Sequence, residues 1–495
     1  MTGEGLIQLA LAIPTLGAVG IALTGFNRNV REAVTLVTAS ALFVVVVLNL
    51  LPMVMAGERP AWTALTAFGA IDLAFEIEPL GMLFACIAST LWIVNSIYSI
   101  GYMRGNNEPR QTPFYTCFAI AIAGAIGIAF SANLFTLFLF YEILTISTYP
   151  LVTHKGNEDA RLKGRVYIML LMGTSIGLLL PAIIWTFAAA GSTDFTAGGI
   201  LAGAGLSGVM LTLLYTLYVF GIGKAAVMPV HYWLPAAMVA PTPVSALLHA
   251  VAVVKAGVFC VVKITVYIFG LDVLSTTGAS DPIAYLAGLT VVLASVIALG
   301  QDNLKRRLAY STISQLSYVV MAAAIATPLA IIGAAMHILA HAVSKITLFF
   351  AAGSIYTAHH LTEVSQLDGL GRKMPLTFVA FLIGTVSLIG LPPFIGLWSK
   401  WWIGIGAADA GDYWAIAVLM ISSLLKVVYL LPIVSRGFFL PLPGQDPNAP
   451  VARAEAPMPI LIALTVTSSL TVLLFFMIDP VEALLLPILE VPDGQ

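Results

Sequence analysis

The sequence predicts an all-α polytopic membrane protein with about 14 transmembrane helices, and three observations lead to this fold class. Of the 495 residues, 60% are hydrophobic and only 9% are charged, whereas a soluble domain carries roughly 25% charged residues. Apolar runs of about 20 residues, long enough to cross a bilayer, recur along the whole chain. The positive charges alternate from loop to loop. Only a bilayer offers enough apolar solvent for this composition.

Fourteen apolar runs are predicted to span the membrane. They lie near residues 6–25, 33–55, 80–102, 113–130, 133–152, 166–190, 207–229, 243–269, 283–300, 308–326, 329–358, 376–405, 414–434 and 460–478. The division between spans 10 and 11 falls at Thr327-Pro328. The first residues lack the basic segment and the cleavage site of a signal peptide, so we expect the first run to be kept as a span.

The basic residues support this count. Fifteen of the 22 follow odd-numbered spans: Arg28, Arg31, Arg104, Arg110, Lys155, Arg161, Lys163, Arg165, Lys305, Arg306, Arg307, Arg372, Lys373, Arg436 and Arg453. The loops after even-numbered spans contain only Arg59. Because cytoplasmic loops of membrane proteins are enriched in lysine and arginine, both termini are predicted on the outer face.

Several classes of function are disfavoured by the same composition. The net charge of −2 provides no basic field for nucleic acid. The three cysteines (Cys86, Cys117 and Cys260) are isolated within apolar runs and match no metal-binding or redox spacing. No glycine-rich phosphate loop or dinucleotide fingerprint is present. We therefore expect no cofactor and no metal in this chain.

Six lysines and one glutamate fall inside the apolar runs: Lys224, Lys255, Lys263, Lys345, Lys400, Lys426 and Glu142. A charge at mid-bilayer costs at least about 2.5–3.5 kcal/mol, so such residues usually have a function. Lys263 and Lys426 lie nearer to span ends, where a lysine can equally extend to the interface. Because one acid cannot neutralise four deep lysines, some of them must spend time neutral, as proton carriers do.

Three histidines accompany these lysines. His249 lies six residues before Lys255, and His337 and His341 precede Lys345 at i, i+4 and i+8. This spacing places the last three side chains on roughly one helix face, where they could relay protons. Two histidines at i, i+4 could instead bind a metal, but no carboxylate accompanies them, and a structural role as buried core histidines stays open.

Prolines interrupt two of the spans beside a lysine. Pro229 and Pro235 follow Lys224 in span 7, and Pro392-Pro393 precede Lys400 in span 12. Proline breaks or kinks a helix, and a break at membrane depth is tolerated where it is buried or lines a water-filled cavity. Two ordinary proline kinks are the alternative interpretation.

The breaks fit two inverted repeats of five helices, spans 4–8 and spans 9–13. In each set the fourth member, span 7 or span 12, is the broken one. Because five is an odd number, the second set begins on the opposite side of the membrane from the first. The predicted divisions are an N-terminal three-helix segment (1–111), a first repeat (112–270), a second, inverted repeat (283–436), and a last helix with a C-terminal tail (457–495). All of them belong to one membrane domain, residues 1–495.

Four motifs resemble the antiporter-like subunits shared by Mrp-type sodium/proton antiporters, respiratory complex I and membrane-bound hydrogenases. They read YEILTISTYPLV, GKAAVMPVHYWLPAAMVAPTPVSALLHAVAVVKAG, LAYSTISQLSYVVM and HAVSKITLFFAAGSI. The resemblance covers about residues 80–435. The chain length is most similar to that of the D-type Mrp protein, whereas the APTPVSALLHA loop looks more like the largest antiporter subunits. Many relatives read LPDA where this chain has Leu234 to Ala237, so that loop acid is absent.

The resemblance implies roles for individual residues. It implies that Glu142 and Lys224 form the buried pair of one half-channel and that Lys255 is the central lysine. Lys345 and Lys400 would be the lysine of span 11 and the exit lysine of span 12. His249, His337 and His341 match histidines of some members, and Lys426 is added as a further candidate.

The function expected from this resemblance is proton translocation within a multisubunit monovalent cation (Na⁺)/H⁺ antiporter. The site would be a transport site and not an enzyme active site. The partners would be other membrane subunits, the lipid bilayer, protons and sodium, in a bacterial cytoplasmic membrane. One alternative is the proton-pumping subunit of a redox-driven complex of the NADH-quinone oxidoreductase or membrane hydrogenase type. Another is a non-conducting scaffold subunit.

Overall fold

A computed structural model describes residues 2–67, 71–247, 251–444 and 451–489. Fifteen helices of more than ten residues follow one another along this part of the chain. They are α1 (Gly3–Leu23), α2 (Arg28–Met55), α3 (Pro79–Gly105), α4 (Gln111–Ala129), α5 (Leu134–Val152), α6 (Glu158–Ala190), α7 (Gly208–Gly221), α8 (Val253–Phe269), α9 (Asp281–Leu299), α10 (Leu304–Ile325), α11 (Pro328–His359), α12 (Pro375–Ile389), α13 (Gly396–Asp409), α14 (Tyr413–Phe439) and α15 (Met458–Phe476). Within the described residues, eleven are long and apolar enough to cross a membrane: all except α7, α8, α12 and α13.

The predicted fold class is confirmed. Eleven of the fourteen predicted spans correspond to single crossing helices, and α10 and α11 are separated at Thr327-Pro328 as expected. The other three spans are irregular. Span 7 contains the short helix α7, span 8 contains α8, which meets the helix Leu271–Thr277 at 84°, and span 12 is divided into α12 and α13.

Asparagine side chains cap the starts of four helices, including α2, where Asn27 accepts from the backbone N–H of Asn29. Asn133 accepts from the backbone N–H of Thr136 at the start of α5, and Asn303 accepts from that of Arg306 at the start of α10. Asn157 caps α6 in the same way. The first N–H groups of a helix have no partner within the helix, so a polar cap here satisfies a donor that lipid could not.

A two-stranded antiparallel hairpin joins α2 to α3 and was not predicted. Its strands are β1 (Ala61–Ala67) and β2 (Ile71–Glu76). An isolated bridge between Phe75 and Ser131 ties the hairpin to the turn between α4 and α5. The hairpin therefore packs against the end of α4 and the start of α5.

The break after α7 leaves a helix end inside the protein. The chain passes from Gly221 into a single 3-10 turn, Gly223–Ala225, which carries Lys224. The indole N–H of Trp233 donates to the carbonyl of Gly223 at 2.9 Å. A buried carbonyl released by the break thus has a partner, as a broken helix in a membrane requires.

The break between α12 and α13 exposes carbonyl groups to a lysine. After α12 ends at Ile389, Pro392 and Pro393 prevent the helix from continuing, because proline has no N–H to donate. The ammonium of Lys400 donates to the carbonyls of Leu388 (2.9 Å) and Ile389 (2.6 Å). The negative end of the α12 dipole therefore faces a cation.

The centre of the molecule is formed by α10 and α11. The apolar segment of α10 is 100% buried inside the protein and that of α11 is 89% buried, whereas the corresponding segment of α6 is only 28% buried. A side chain on α10 or α11 is thus shielded from lipid by other helices. Polar groups on these two helices therefore bond to groups of the surrounding helices, as Ser314 does to Ser295 and His337 does to Ser399.

Candidate functional site

Lys224 is held at the break after α7 by neutral groups of α5. Its side chain is fully buried, and its ammonium donates to the carbonyl of Tyr141 (2.9 Å) and the hydroxyl of Thr145 (2.6 Å). It also lies 3.0 Å from the centre of the Tyr141 ring, a cation–π contact. These partners stabilise the ammonium without balancing its charge.

Glu142 does not form a close ion pair with Lys224. Within the described residues, no salt bridge of 4.0 Å or less joins them, and both carboxylate oxygens are buried without a hydrogen-bond partner. The neighbouring Ile143 and Ile146 are 40% and 58% exposed on the same helix. Glu142 therefore lies beside the outer face of α5, next to the site of Lys224 and not bonded to it.

Glycine brings α8 against the turn that carries Lys224. A Cβ added at Gly257 would overlap the backbone of Lys224 and Ala225, so only glycine permits this approach. Two residues earlier on α8, Lys255 is fully buried, and its ammonium lies 2.5 Å from Nδ1 of His341 on α11. The contact joins a helix of the first predicted repeat to one of the second.

The predicted histidine–lysine face of α11 is present. The rings of His337 and His341 are parallel, with centres 6.1 Å apart, and Lys345 follows one turn later, fully buried. The ammonium of Lys345 donates to the hydroxyl of Ser311 at 2.9 Å. Nδ1 of His337 lies 2.8 Å from the hydroxyl of Ser399.

Lys426, on α14, is buried and not interfacial. Its side chain has no exposed surface, and its ammonium donates to the hydroxyls of Tyr318 (2.8 Å) and Ser422 (3.0 Å). The cation also lies 4.4 Å from the centre of the Tyr318 ring. Of the two interpretations open for Lys426, the structure therefore favours a place among the deep lysines.

Lys400 closes the series at the edge of the bundle. Besides its two carbonyl partners on α12, it donates to the hydroxyl of Ser423 at 2.7 Å and lies 5.6 Å from the centre of the Tyr318 ring. It is only half-buried, and it lines a side cavity of about 630 Å³ together with apolar residues such as Trp401. This lysine can reach the surroundings of the protein through that cavity.

Five lysines thus form one series, here called the lysine line: Lys224, Lys255, Lys345, Lys426 and Lys400. His341 contacts Lys255, and the Tyr318 ring lies close to both Lys426 and Lys400. No lysine in the line has a carboxylate partner within 4.0 Å among the described residues. Neutral acceptors let a lysine release its proton more easily than a carboxylate would.

Lys263 is buried as well, but it has a different environment. Its ammonium lies 3.2 Å from Oε1 of Glu78 and donates to the carbonyl of Ser131 at 2.7 Å. Glu78 also caps the start of α3 and accepts from Tyr267. The sequence did not reveal this pair, because its members are 185 positions apart. Because Lys263 has a carboxylate partner, it is not counted in the lysine line.

Two further outcomes concern the predicted site residues. One predicted site residue, His249, lies outside the described residues.

The hydroxyl and aromatic partners of the lysine line were not predicted: Tyr141, Thr145, Ser311, Tyr318, Ser422 and Ser423. Their only sequence signal is a polar side chain within an apolar span, and that signal is too common to select these six.

Comparison with known proteins identifies the family. Residues 131–426 match the family described as "NADH:quinone oxidoreductase/Mrp antiporter, TM". That range holds the whole lysine line. The chain belongs to this family. It is a multi-pass, antiporter-like membrane subunit of the type found in complex I and Mrp assemblies.

Individual relatives agree with this assignment. NADH-quinone oxidoreductase subunit N of Desulforudis audaxviator (strain MP104C) is 32% identical over 415 residues, covering 82% of this chain and 78% of that protein. NAD(P)H-quinone oxidoreductase chain 5 of Synechocystis sp. (strain ATCC 27184 / PCC 6803 / Kazusa) is 34% identical over 435 residues, covering 80% of this chain. The match spans only 61% of the Synechocystis protein.

Two solved structures share the fold. One is the membrane-bound sulfane sulfur reductase, an archaeal respiratory membrane complex, with a TM-score of 0.86 over 98% of this chain and 98% of the matched chain, at 23% identity. The other is the Mrp complex from Dietzia sp. DQ12-45-1b, with a TM-score of 0.86 over 100% of this chain and 98% of the matched chain, at 20% identity. These likenesses extend over nearly the full length of all three chains.

Proposed function

We propose that this chain is the proton-translocating subunit of a multisubunit Mrp-type monovalent cation/proton antiporter in a bacterial cytoplasmic membrane. Sodium would be exchanged in the same complex. The observation that carries the proposal is the lysine line: four fully buried lysines and the half-buried Lys400, all bonded to hydroxyls, carbonyls or a histidine. Family membership and the fold shared with the Dietzia Mrp complex support it.

Proton movement in this proposal follows from the partners of each lysine. Lys224 holds a proton while the Tyr141 carbonyl and the Thr145 hydroxyl stabilise the ammonium. Lys255 passes its proton to Nδ1 of His341, which leaves a neutral amine and an imidazolium. Because the interior screens charge weakly, a cation at one position disfavours a second one nearby. Loading one lysine therefore promotes release from the next.

The two ends of the line have different surroundings in this proposal. Glu142, whose carboxylate is buried beside the outer face of α5, modulates the charge of Lys224 without a direct bond. Lys400 releases or takes up protons through its side cavity. We assign Lys224 and Lys255 to a first repeat (112–270) and Lys345 and Lys400 to an inverted second repeat (283–436), with both termini on the outer side of the membrane.

A redox-driven complex is the second candidate function. It is favoured by the curated relatives, which are named as quinone oxidoreductase subunits. The chemistry of this subunit would be the same, and only the partner subunits would differ. Isolation of the intact complex distinguishes the two: iron–sulfur or flavin subunits that co-purify support the redox pump, and a sodium-dependent proton flux without them supports the antiporter.

The experiment that tests translocation uses the intact complex in proteoliposomes. Lys224→Ala and Glu142→Ala should each lower proton flux by at least about tenfold while the complex stays assembled, as measured by native gel or size exclusion. Arg453→Ala, in a loop far along the chain, is the control with normal flux. Wild-type flux in both variants would contradict the proposal and favour a scaffold subunit.

A further inference from the structure

Gln315 has an unusual environment in the centre of the bundle. It lies on α10 with no exposed surface. Neither its amide nitrogen nor its amide oxygen has a hydrogen-bond partner among the described residues. A buried amide without partners costs about 1–3 kcal/mol, and such groups in native proteins usually have a functional reason.

The neighbours of Gln315 on its own helix are two partners of the lysine line. Ser311, Gln315 and Tyr318 are spaced by four and three residues, so they share one face of α10. Ser311 accepts from Lys345, and Tyr318 accepts from Lys426. The Tyr318 hydroxyl is near enough to interact with the Gln315 carboxamide, although no hydrogen bond of normal geometry joins them. Gln315 is thus flanked by the two lysine contacts of the second predicted repeat.

Gln315 also lies level with His341 on α11. The helices α10 and α11 are consecutive and antiparallel, and the turn between them is short. Ser311 is paired with Lys345 near one end of the polar face. The rings of Tyr318 and His337 are 5.4 Å apart near the other end. Residues 315 and 341 are near the midpoints between these two contacts.

His341 is in turn the residue that contacts Lys255 of α8. The midpoint of the polar face is therefore the place where the two predicted repeats meet. Gln315 is the side chain that α10 presents at this level of the face.

We propose that Gln315 is a positioning residue that connects the Lys255–His341 pair to the Tyr318–Lys426 pair. The proposal rests on the proposed function and adds a residue to it. Gln315 itself gains and loses no proton. A proton that leaves the His341 imidazolium ends on a neutral lysine amine of the second repeat, and Gln315 orients the groups between which it passes.

A carboxamide suits this position because it both donates and accepts. When Lys426 is charged it donates to the Tyr318 oxygen, so the Tyr318 hydroxyl hydrogen is free to bond the amide oxygen of Gln315. When Lys426 is neutral, its amine accepts that hydrogen, and the amide N–H₂ of Gln315 donates to the Tyr318 oxygen. The same side chain therefore serves both charge states without becoming a charge trap.

The charged and titratable groups around this point come from five helices. They are Lys255 on α8, Tyr318 on α10, His337, His341 and Lys345 on α11, Lys400 on α13 and Lys426 on α14. An ionisable residue in place of Gln315 would add a charge to this set. An amide adds none, which is the physical reason to expect glutamine here and not glutamate.

The test compares Gln315→Leu, Gln315→Glu and Ser317→Ala in the intact complex. Leucine keeps the approximate shape and removes both hydrogen-bonding groups, so proton flux should fall by about 10- to 100-fold. Glutamate keeps an acceptor and, when protonated, a donor, so it should restore flux partly and shift the pH at which flux is half-maximal. Ser317, whose buried hydroxyl also has no partner among the described residues, is on another face of α10 and should tolerate alanine.

A double-mutant comparison separates positioning from packing. If Gln315 acts through Tyr318, Gln315→Leu should reduce flux by less than about twofold when added to Tyr318→Phe. A full additional loss in that background, or normal flux in Gln315→Leu alone, would overturn the inference. Lys345→Met is measured in the same experiment. If Lys345→Met abolishes proton flux but Gln315→Leu does not, only the inference about Gln315 fails. If Lys345→Met also conducts normally, the proposed function fails.

Discussion

The hydroxyl of Thr145 offers a sharp test of how Lys224 holds its proton. In the wild-type protein the ammonium donates to this hydroxyl at 2.6 Å and to the Tyr141 carbonyl at 2.9 Å. Thr145→Val keeps the branched shape and removes the hydroxyl. The Lys224 ammonium then retains only the carbonyl and the Tyr141 ring.

The expected magnitude follows from the charge of the donor. A hydrogen bond to a charged group contributes about 1.5–3 kcal/mol, and every 1.4 kcal/mol is a factor of about ten in a population or rate. If transport requires the charged form of Lys224, Thr145→Val should lower proton flux by about 10- to 100-fold. Fold stability should change little, because the valine fills the same volume.

The assay is proton uptake into proteoliposomes that contain the intact complex, with a pH-sensitive dye and a fixed driving force. Thr148→Val is the matched control, since Thr148 lies one turn along α5 and its buried hydroxyl contacts Tyr167 and no lysine. Equal flux in Thr145→Val and the wild type would refute the reasoning. An equal loss in both variants would show that any buried hydroxyl of α5 matters.

Three further predictions concern residues outside the lysine line: Lys263, Gly257 and His154. Lys263→Met leaves the Glu78 carboxylate without its cation and should reduce the free energy of unfolding by about 3–5 kcal/mol. Thermal stability in detergent measures this loss, and adding Glu78→Gln should recover part of it. Gly257→Ala, whose Cβ would overlap the turn after α7, should lower flux at least about tenfold, whereas Gly173→Ala, with open space around it, should not. Burial, followed by repulsion from a neighbouring arginine, lowers the pKa of His154 to about 4. Between pH 6.5 and 4 the His154 imidazole is therefore protonated in the unfolded state but not in the folded one. The free energy of unfolding should fall across this range by up to about 3 kcal/mol. His154→Gln should flatten that fall in a series of thermal melts.

The deep lysines could be predicted because the bilayer makes charge expensive. A lysine such as Lys345 in an apolar run stands out against a background that excludes it, and the same holds for Lys224 beside its helix break. The break between α12 and α13 was predictable because Pro392 and Pro393 follow the end of α12. Proline alone does not predict a break, since α5 continues through Pro150 and α7 already ends at Gly221, before Pro229. These signals are local in sequence and carry a large energetic penalty.

The partners of the lysines could not be predicted, because they depend on distances between helices. Nothing in the sequence distinguishes Thr145 from Thr148, yet only one of them bonds Lys224. Glu78 and Lys263 meet only after the chain has folded, so Lys263 could equally have reached the interface. The resemblance implied that Glu142 and Lys224 form the buried pair of one half-channel. It did not imply the hydrogen bonds from Lys224 to the Tyr141 carbonyl and the Thr145 hydroxyl.

The arrangement also explains why the line tolerates several lysines within one bundle. Helix ends and hydroxyls supply partial negative charge at each ammonium, as the end of α12 does for Lys400. Lys263 differs from these lysines because its ammonium lies 3.2 Å from a full carboxylate charge, that of Glu78. In the proposed function, the first environment belongs to lysines that exchange protons and the second to a lysine that supports the fold.

The central claim is that protons travel along the buried lysine line, and Lys345 tests it most directly because it lies in the interior of the series. Proton flux through the assembled complex should be measured for Lys345→Met and for Lys373→Met, a change at a basic residue outside the line. We predict at least about a 100-fold loss of flux for the first variant and none for the second. Wild-type flux through Lys345→Met, in a complex of normal composition, would contradict the claim.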